Sequence, residues 1–145
     1  MNKESAGTVN KTSVFSAMDL VPSLADLCKV PLPKKVIFDG EELTDVLLGN
    51  SERSRKEPIF FRRPPDRDSF FGVKNLPDLA VRSGKWKLLC EYEGSNAELY
   101  DLSTDQSESN NLSGKHREIC DQLVEQVTNW HNSMPPDNGP KLTGK

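Results

Sequence analysis

The chain has 145 residues, enough for one domain of ordinary size. Only 34% of them are apolar, and 19 basic residues stand against 22 acidic ones for a net charge of −3. A small core with stretches of chain outside it is therefore expected, and the near balance of charge excludes a general nucleic-acid binder. No apolar run approaches the ~20 residues of a membrane span. No hydrophobic stretch follows Lys3, so no secretory signal is read and the chain as written is expected in the compartment where it is made, the cytoplasm. Cys28, Cys90 and Cys120 are widely spaced without a C-x-x-C pair, which fits free, buried thiols better than a disulfide framework or a zinc site.

Residues 1–12 are polar and aperiodic and read as a flexible lead-in. Leu20, Val21, Leu24, Leu27 and Cys28 then fall at helical spacing, with Ser16 and Asp19 as a capping pair. Pro22 suits only a first turn, and Pro31 and Pro33 bar continuation. Asp39-Gly40 marks a turn. A short helix is predicted over 41–48, with Leu43, Val46 and Leu47 on one side and Gly49-Asn50 at its end. Residues 51–57 form a charged loop.

Strand signals follow at 59–62, 78–82, 85–90 and 98–102. The Ser83-Gly84 turn between the second and third is a hairpin signal, so the sheet is expected to be mainly antiparallel. Residues 64–77 are rich in Pro, Asp and Arg and read as a long loop. Ile119, Cys120, Leu123, Val124, Val127 and Trp130 then give a helix from about 115 to 132, with Ser113 as its N-cap. Pro135-Pro136 ends it, and the tail is polar. A helix of this length needs a surface to cover. The expected fold is α+β: a four-stranded antiparallel sheet with the C-terminal helix packed on one face, preceded by a helical connecting segment.

Four segments carry a family resemblance. Residues 98–112, from Glu98-Leu99-Tyr100-Asp101-Leu102 through Asp105 and Glu108 to Leu112, resemble the E-L-Y-D-L-x-x-D-P-x-E-x-x-N-L signature near the C-terminus of sulfatases. Residues 81–88, with Gly84 and Trp86, resemble the family's V-R-x-G-x-W-K-L hairpin. Residues 16–24, with Asp19 and Pro22, resemble its S-x-x-D-L-x-P-T-L helix, and Asp39-Gly40 with Leu43 resembles its D-G-x-S/D-L segment. The matches run in family order across residues 12–137. They are most similar to arylsulfatase A-like enzymes, especially bacterial N-acetylgalactosamine-6-sulfatase-like members. Gln106 stands where Pro is usual and Ser23 where Thr is usual.

The resemblance implies the smaller C-terminal domain of an alkaline-phosphatase-like fold over 51–137. It implies a helical remnant of the large-domain and connector region over 13–50, and a flexible tail over 138–145. It also implies a family activity, hydrolysis of a sulfate ester on a sulfated sugar, with calcium in full-length members, which are usually exported. The family's nucleophile is a formylglycine made in a C/S-x-P-x-R motif. This chain has no such motif: Pro31 falls one place too late after Cys28, and Asp137 replaces the Arg after Ser133-Met134-Pro135-Pro136. The family's metal-binding segments lie upstream of the matched region. No catalytic residue and no metal ligand is therefore assigned here, and this chain alone is expected to be inactive.

Three roles remain open at the sequence level. The first is a piece of a sulfatase, which predicts an exposed apolar patch on 16–48. The second is an interaction module for a separate catalytic chain. The third is an anion binder using the basic run 53–67, in which Arg62, Arg63 and Arg67 are the candidate contacts for a sulfated carbohydrate. The bland reading of that run is a solvated loop. Trp86 and Trp130 are read as core. His116 and His131 are not read as a metal pair, and His131 sits where it suits a helix C-terminus.

Overall fold

A computed structural model describes residue 7 and residues 9–63 and 76–136. The chain forms two compact units, Met1–Glu57 and Pro58–Lys145.

In the first unit a 3-10 turn, Ala17–Asp19, leads into helix α1, Leu20–Leu27. The expected capping box is present: the Ser16 hydroxyl accepts from Met18 N–H, and the Asp19 carboxylate accepts from Ser16 N–H at 2.7 Å. Pro22 lies in the first turn of α1, where no partner for a backbone N–H is required. The helix ends before either downstream proline. Lys29 takes a left-handed conformation (φ 54°), and Val30 N–H closes back on the Ala25 carbonyl.

Helix α2 is only Thr44–Leu47, shorter than the predicted 41–48. Leu43 before it is not helical (φ −133°, ψ 40°), its N–H donating to the Ser23 hydroxyl, and Glu41 N–H donates to Asp19, so 41–43 pack as an extended lead-in against α1. Gly49 (φ 74°) terminates α2 as expected. Cys28 is exposed, contrary to the expectation of a buried thiol, because it caps a helix whose apolar side faces outward.

The second unit is the expected antiparallel sheet in the order β1-β2-β3-β4: β1 Ile59–Arg62, β2 Leu79–Ser83, β3 Trp86–Cys90 and β4 Glu98–Asp101. Ser83 pairs with Trp86 across the Gly84-Lys85 loop, and Gly84 supplies the positive φ (53°) that so tight a loop requires. The register aligns Phe60, Val81, Leu88 and Leu99 on one face, with Arg62, Leu79 and Cys90 in the next row.

Helix α3, Arg117–Ser133, covers that face with Cys120, Leu123 and Val127. Its start departs from expectation. His116 occupies the cap position without a side-chain cap, while Ser113 N–H donates to the Asn111 side chain. The preceding turn is held instead by the Leu112 carbonyl, which accepts from Lys115 and His116. Trp130 stacks on Phe60 with ring centroids 5.3 Å apart, and Trp86 lies against His116 at 5.1 Å; both indoles pack half-buried at the edge of the core. Among the described residues no helix is long and apolar enough to cross a membrane.

Candidate functional site

The family-like positions of the first unit converge on one buried ion pair. Asp19 is fully buried, and Arg55 is buried beside it with Nη1 2.8 Å from Oδ1. The Asp19 carboxylate also accepts from the amides of Ser16 and Glu41. Arg55 donates to the carbonyls of Asp39 (3.1 Å) and Glu57 (2.8 Å), and the Glu41 carboxylate lies 3.6 Å from its Nε. Gly40 belongs to this knot for a steric reason: a Cβ there would lie 2.0 Å from the Met18 carbonyl oxygen. Arg53 is held by Asp45 at 2.7 Å and donates to the Glu42 carbonyl. Two cations of the basic run are thus structural ties.

The signature at β4 likewise builds a corner. Leu99 enters the core, whereas the Tyr100 hydroxyl donates to Glu98 on the opposite face. Asp101 accepts from Lys85 Nζ at 2.6 Å and from the Ser103 amide. Lys85, followed by Ser103, holds the Asp101 carboxyl down at about 2, well below its usual range. Leu102 N–H returns to the Lys85 carbonyl. Asp105 organises the following loop by accepting from the amides of Ser109 and Asn110, and these bonds, Asn110 first, lower its pKa. Glu108 pairs with Lys87 across the sheet, and Leu112 N–H closes onto the Leu99 carbonyl at 2.7 Å. Ser133 donates its hydroxyl to the Trp130 carbonyl at the end of α3.

Two of the three candidate arginines, Arg62 and Arg63, are described, and both border a shallow cleft with Leu76, Pro77 and Asp78. Arg67 lies outside the described residues. Arg63 pairs with Asp78 at 3.1 Å and donates to the Leu76 carbonyl. Glu91 hydrogen-bonds to Asp78, and that contact first, then burial, raises the Glu91 pKa. Arg62 also opens onto a second cleft, of about 310 Å³, shared with Tyr92, His131, Asn132, Met134 and Pro135. It donates to the Pro135 carbonyl at 3.3 Å and has no carboxylate partner among the described residues. His131 stacks on Tyr92 with centroids 4.8 Å apart, and the Tyr92 hydroxyl donates to the Arg63 carbonyl. Tyr92, His131 and Asn132 were not read as neighbours of Arg62, because no sequence spacing brings the end of β1 to the end of α3.

Calcium is the metal the family resemblance implies, and the donor set does not fit it. Among the described residues no group of three or more His, Cys, Asp or Glu side chains is placed to hold a metal ion. The buried or half-buried carboxylates at Asp19, Asp101 and Asp105 spend their oxygens on protein donors.

The family model for the C-terminal region of N-sulphoglucosamine sulphohydrolase matches residues 2–133. The chain belongs to the sulfatase family. An N-acetylgalactosamine-6-O-sulfatase of Bacteroides thetaiotaomicron is 32% identical over 128 residues, spanning 78% of this chain and 22% of the relative. Human arylsulfatase A is 33% identical over 120 residues, covering 68% of this chain and 22% of the enzyme. A solved Bacteroides thetaiotaomicron sulfatase, described in connection with the metabolism of multiple glycosaminoglycans, superimposes with a TM-score of 0.62 at 28% identity. That superposition covers 83% of this chain and 25% of the solved one. The chain therefore spans about a quarter or less of the sulfatases it matches, over their C-terminal region. The sheet-and-helix unit is that of the alkaline-phosphatase-like sulfatases.

Proposed function

We propose that this chain is the non-catalytic C-terminal part of a sulfuric ester hydrolase acting on sulfated sugars, and that it works by docking onto a catalytic domain. The observation that carries the reading is the orientation of α1. Its amphipathic pattern is turned outward: Leu20, Val21, Leu24 and Leu27 are 38–54% exposed, while Pro22 and Ser23 are buried. Met18 and Val30 extend the exposed apolar surface. A stripe of large aliphatic side chains left in water costs free energy that burial against a partner recovers, at roughly 25 cal/mol per Å². The occupant proposed for it is the catalytic portion that makes up the remaining length of the relatives. The same face serves whether that portion lies in one polypeptide with this chain or in another.

Catalysis is assigned to that partner because this chain has no C/S-x-P-x-R nucleophile motif and, among the described residues, the buried carboxylates of Asp19 and Asp101 are bonded to protein donors. The deciding measurement is turnover of an aryl sulfate. The purified 145-residue chain gives none, with or without added calcium, whereas its fusion to a catalytic portion is active. Val21→Asp and Leu24→Asp on α1 lower the activity of the fusion, and Asp26→Ala on the same helix does not. Turnover by the chain alone, or indifference of the fusion to both α1 substitutions, overturns the proposal.

A further inference from the structure

We infer that the cleft between the end of β1 and the end of α3 is a binding site for an anionic saccharide, with Arg62 as its charge anchor. The inference rests on the sulfated-sugar reading above for the class of ligand, and on the geometry of the cleft for the site.

Arg62 brings a guanidinium with five N–H donors, of which one is spent on the Pro135 carbonyl. No carboxylate neutralises it among the described residues, although every other arginine of the 53–63 run is paired with one. A planar guanidinium matches the oxygens of a sulfate ester or a carboxylate in a bidentate fork.

His131 supplies a second donor. Its Nδ1 is buried and has no hydrogen-bond partner. The tautomer with hydrogen on Nε2 leaves no buried donor unmet, and His131 lines the cleft, so Nε2–H is the donor we assign to it. The stack on Tyr92 fixes the ring. Asn132 adds an exposed amide, and Met134 and Pro135 form an apolar wall. A cation, neutral donors and an apolar wall in about 310 Å³ suit one sugar ring bearing one anionic group. The sheet's own chemistry explains the position. Arg62 ends β1 in register with Leu79, on the face that α3 covers, and α3 ends at Ser133, two residues before the Pro135 carbonyl that Arg62 reaches.

The probes are N-acetylgalactosamine 6-sulfate, unsulfated N-acetylgalactosamine, glucuronic acid and inorganic sulfate, titrated into the 145-residue chain and its variants and read by isothermal titration calorimetry, with NMR on the His131 ring locating the site in the unsubstituted chain. The expected result is saturable binding of the sulfated sugar or the uronic acid, tighter than that of the unsulfated sugar and of sulfate alone. Glucuronic acid and the sulfated sugar separate the two sources of anionic charge. Arg62→Ala weakens binding about tenfold or more, since a charge-assisted pair is lost. His131→Phe keeps the stack on Tyr92 but removes Nε2–H, and weakens binding less. An unchanged urea midpoint shows that each variant is folded.

Equal binding by Arg62→Ala, or sulfate alone binding as tightly as the sugar, overturns the inference. Val21→Asp and Leu24→Asp leave saccharide binding intact while abolishing docking, so failure of the cleft and failure of the docking face are read separately.

Discussion

Arg55→Met should unfold the first unit while leaving the second folded. The side chains of Asp19 and Arg55 are 0% and 3% exposed, and they meet at 2.8 Å. Methionine approximates the volume of the arginine stem but removes the charge and its donors. Asp19 is then a buried carboxylate with only the Ser16 and Glu41 amides, and the Asp39 and Glu57 carbonyls lose a donor. Breaking one partner of a buried pair costs about 3–5 kcal/mol, because the surviving charge is neither solvated nor paired. A whole domain is stable by only about 5–15 kcal/mol, so a unit of this size loses most of its folded population. Both tryptophans, Trp86 and Trp130, lie in the second unit, and their fluorescence reports that unit alone. The first unit is followed by hydrogen exchange at the Glu41 and Leu43 amides, which donate to Asp19 and Ser23. The expected outcome is loss of protection at those two amides with an unchanged fluorescence midpoint in urea. Asp19→Asn combined with Arg55→Met should recover part of the loss, since no lone charge remains. Full protection in Arg55→Met would refute the buried-pair argument.

The two glycines that share a family-like setting should both lose stability on substitution, but to very different degrees. Gly40→Ala forces a Cβ onto the Met18 backbone and should abolish soluble, protected material. Gly84→Ala meets open space and carries only the left-handed backbone cost of about 1–2 kcal/mol, seen as a modest fall in the thermal midpoint. Asp101 sets an acid limit on the second unit. Its carboxyl lies near 2 when folded against a usual 3.8, so its contribution is fully present above about 4 and is lost as the pH falls toward 2. Lys85→Met should flatten that part of an acid titration followed by tryptophan fluorescence; an unchanged acid limb would count against the pair. Thiol labelling should distinguish the cysteines. Cys28 is exposed and reacts in the native chain, whereas Cys90, pushed up to about 11 by burial, and Cys120 react only after unfolding. One fast thiol per chain is the expected count.

Particular elements show what was legible in the sequence. The strands could be read from β-prone runs bounded by Gly and Pro, and the hairpin from Gly84, because alternation and turn chemistry are local. The α3 stripe at Cys120, Leu123 and Val127 was legible for the same reason. Its cap was not: Ser113 is a good capping residue, but the Leu112 carbonyl, held in place by pairing with β4, decided where the turn closes. The apolar stripe of α1 was also legible, but periodicity says nothing of which side is buried; an exposed patch over 16–48 was expected only from the reading as a piece of a sulfatase. The arginines of 53–63 look alike in sequence and differ only in what surrounds them. Arg55 is walled in by Asp19, Arg63 is tied to Asp78, and Arg62 is left facing a cleft.

Taken alone, the sequence carried the family resemblance in four motif segments, and it determined the antiparallel sheet and the covering helix because each is carried by spacing within a few residues. Only the tertiary structure decided that Asp19, Gly40 and Arg55 form one knot, which side of α1 faces solvent, and that Arg62 and His131, 69 residues apart, line one cleft. Those outcomes depend on burial and on which charges meet across long stretches of chain, and the free energy of a charge is set by its surroundings, not by its place in the sequence.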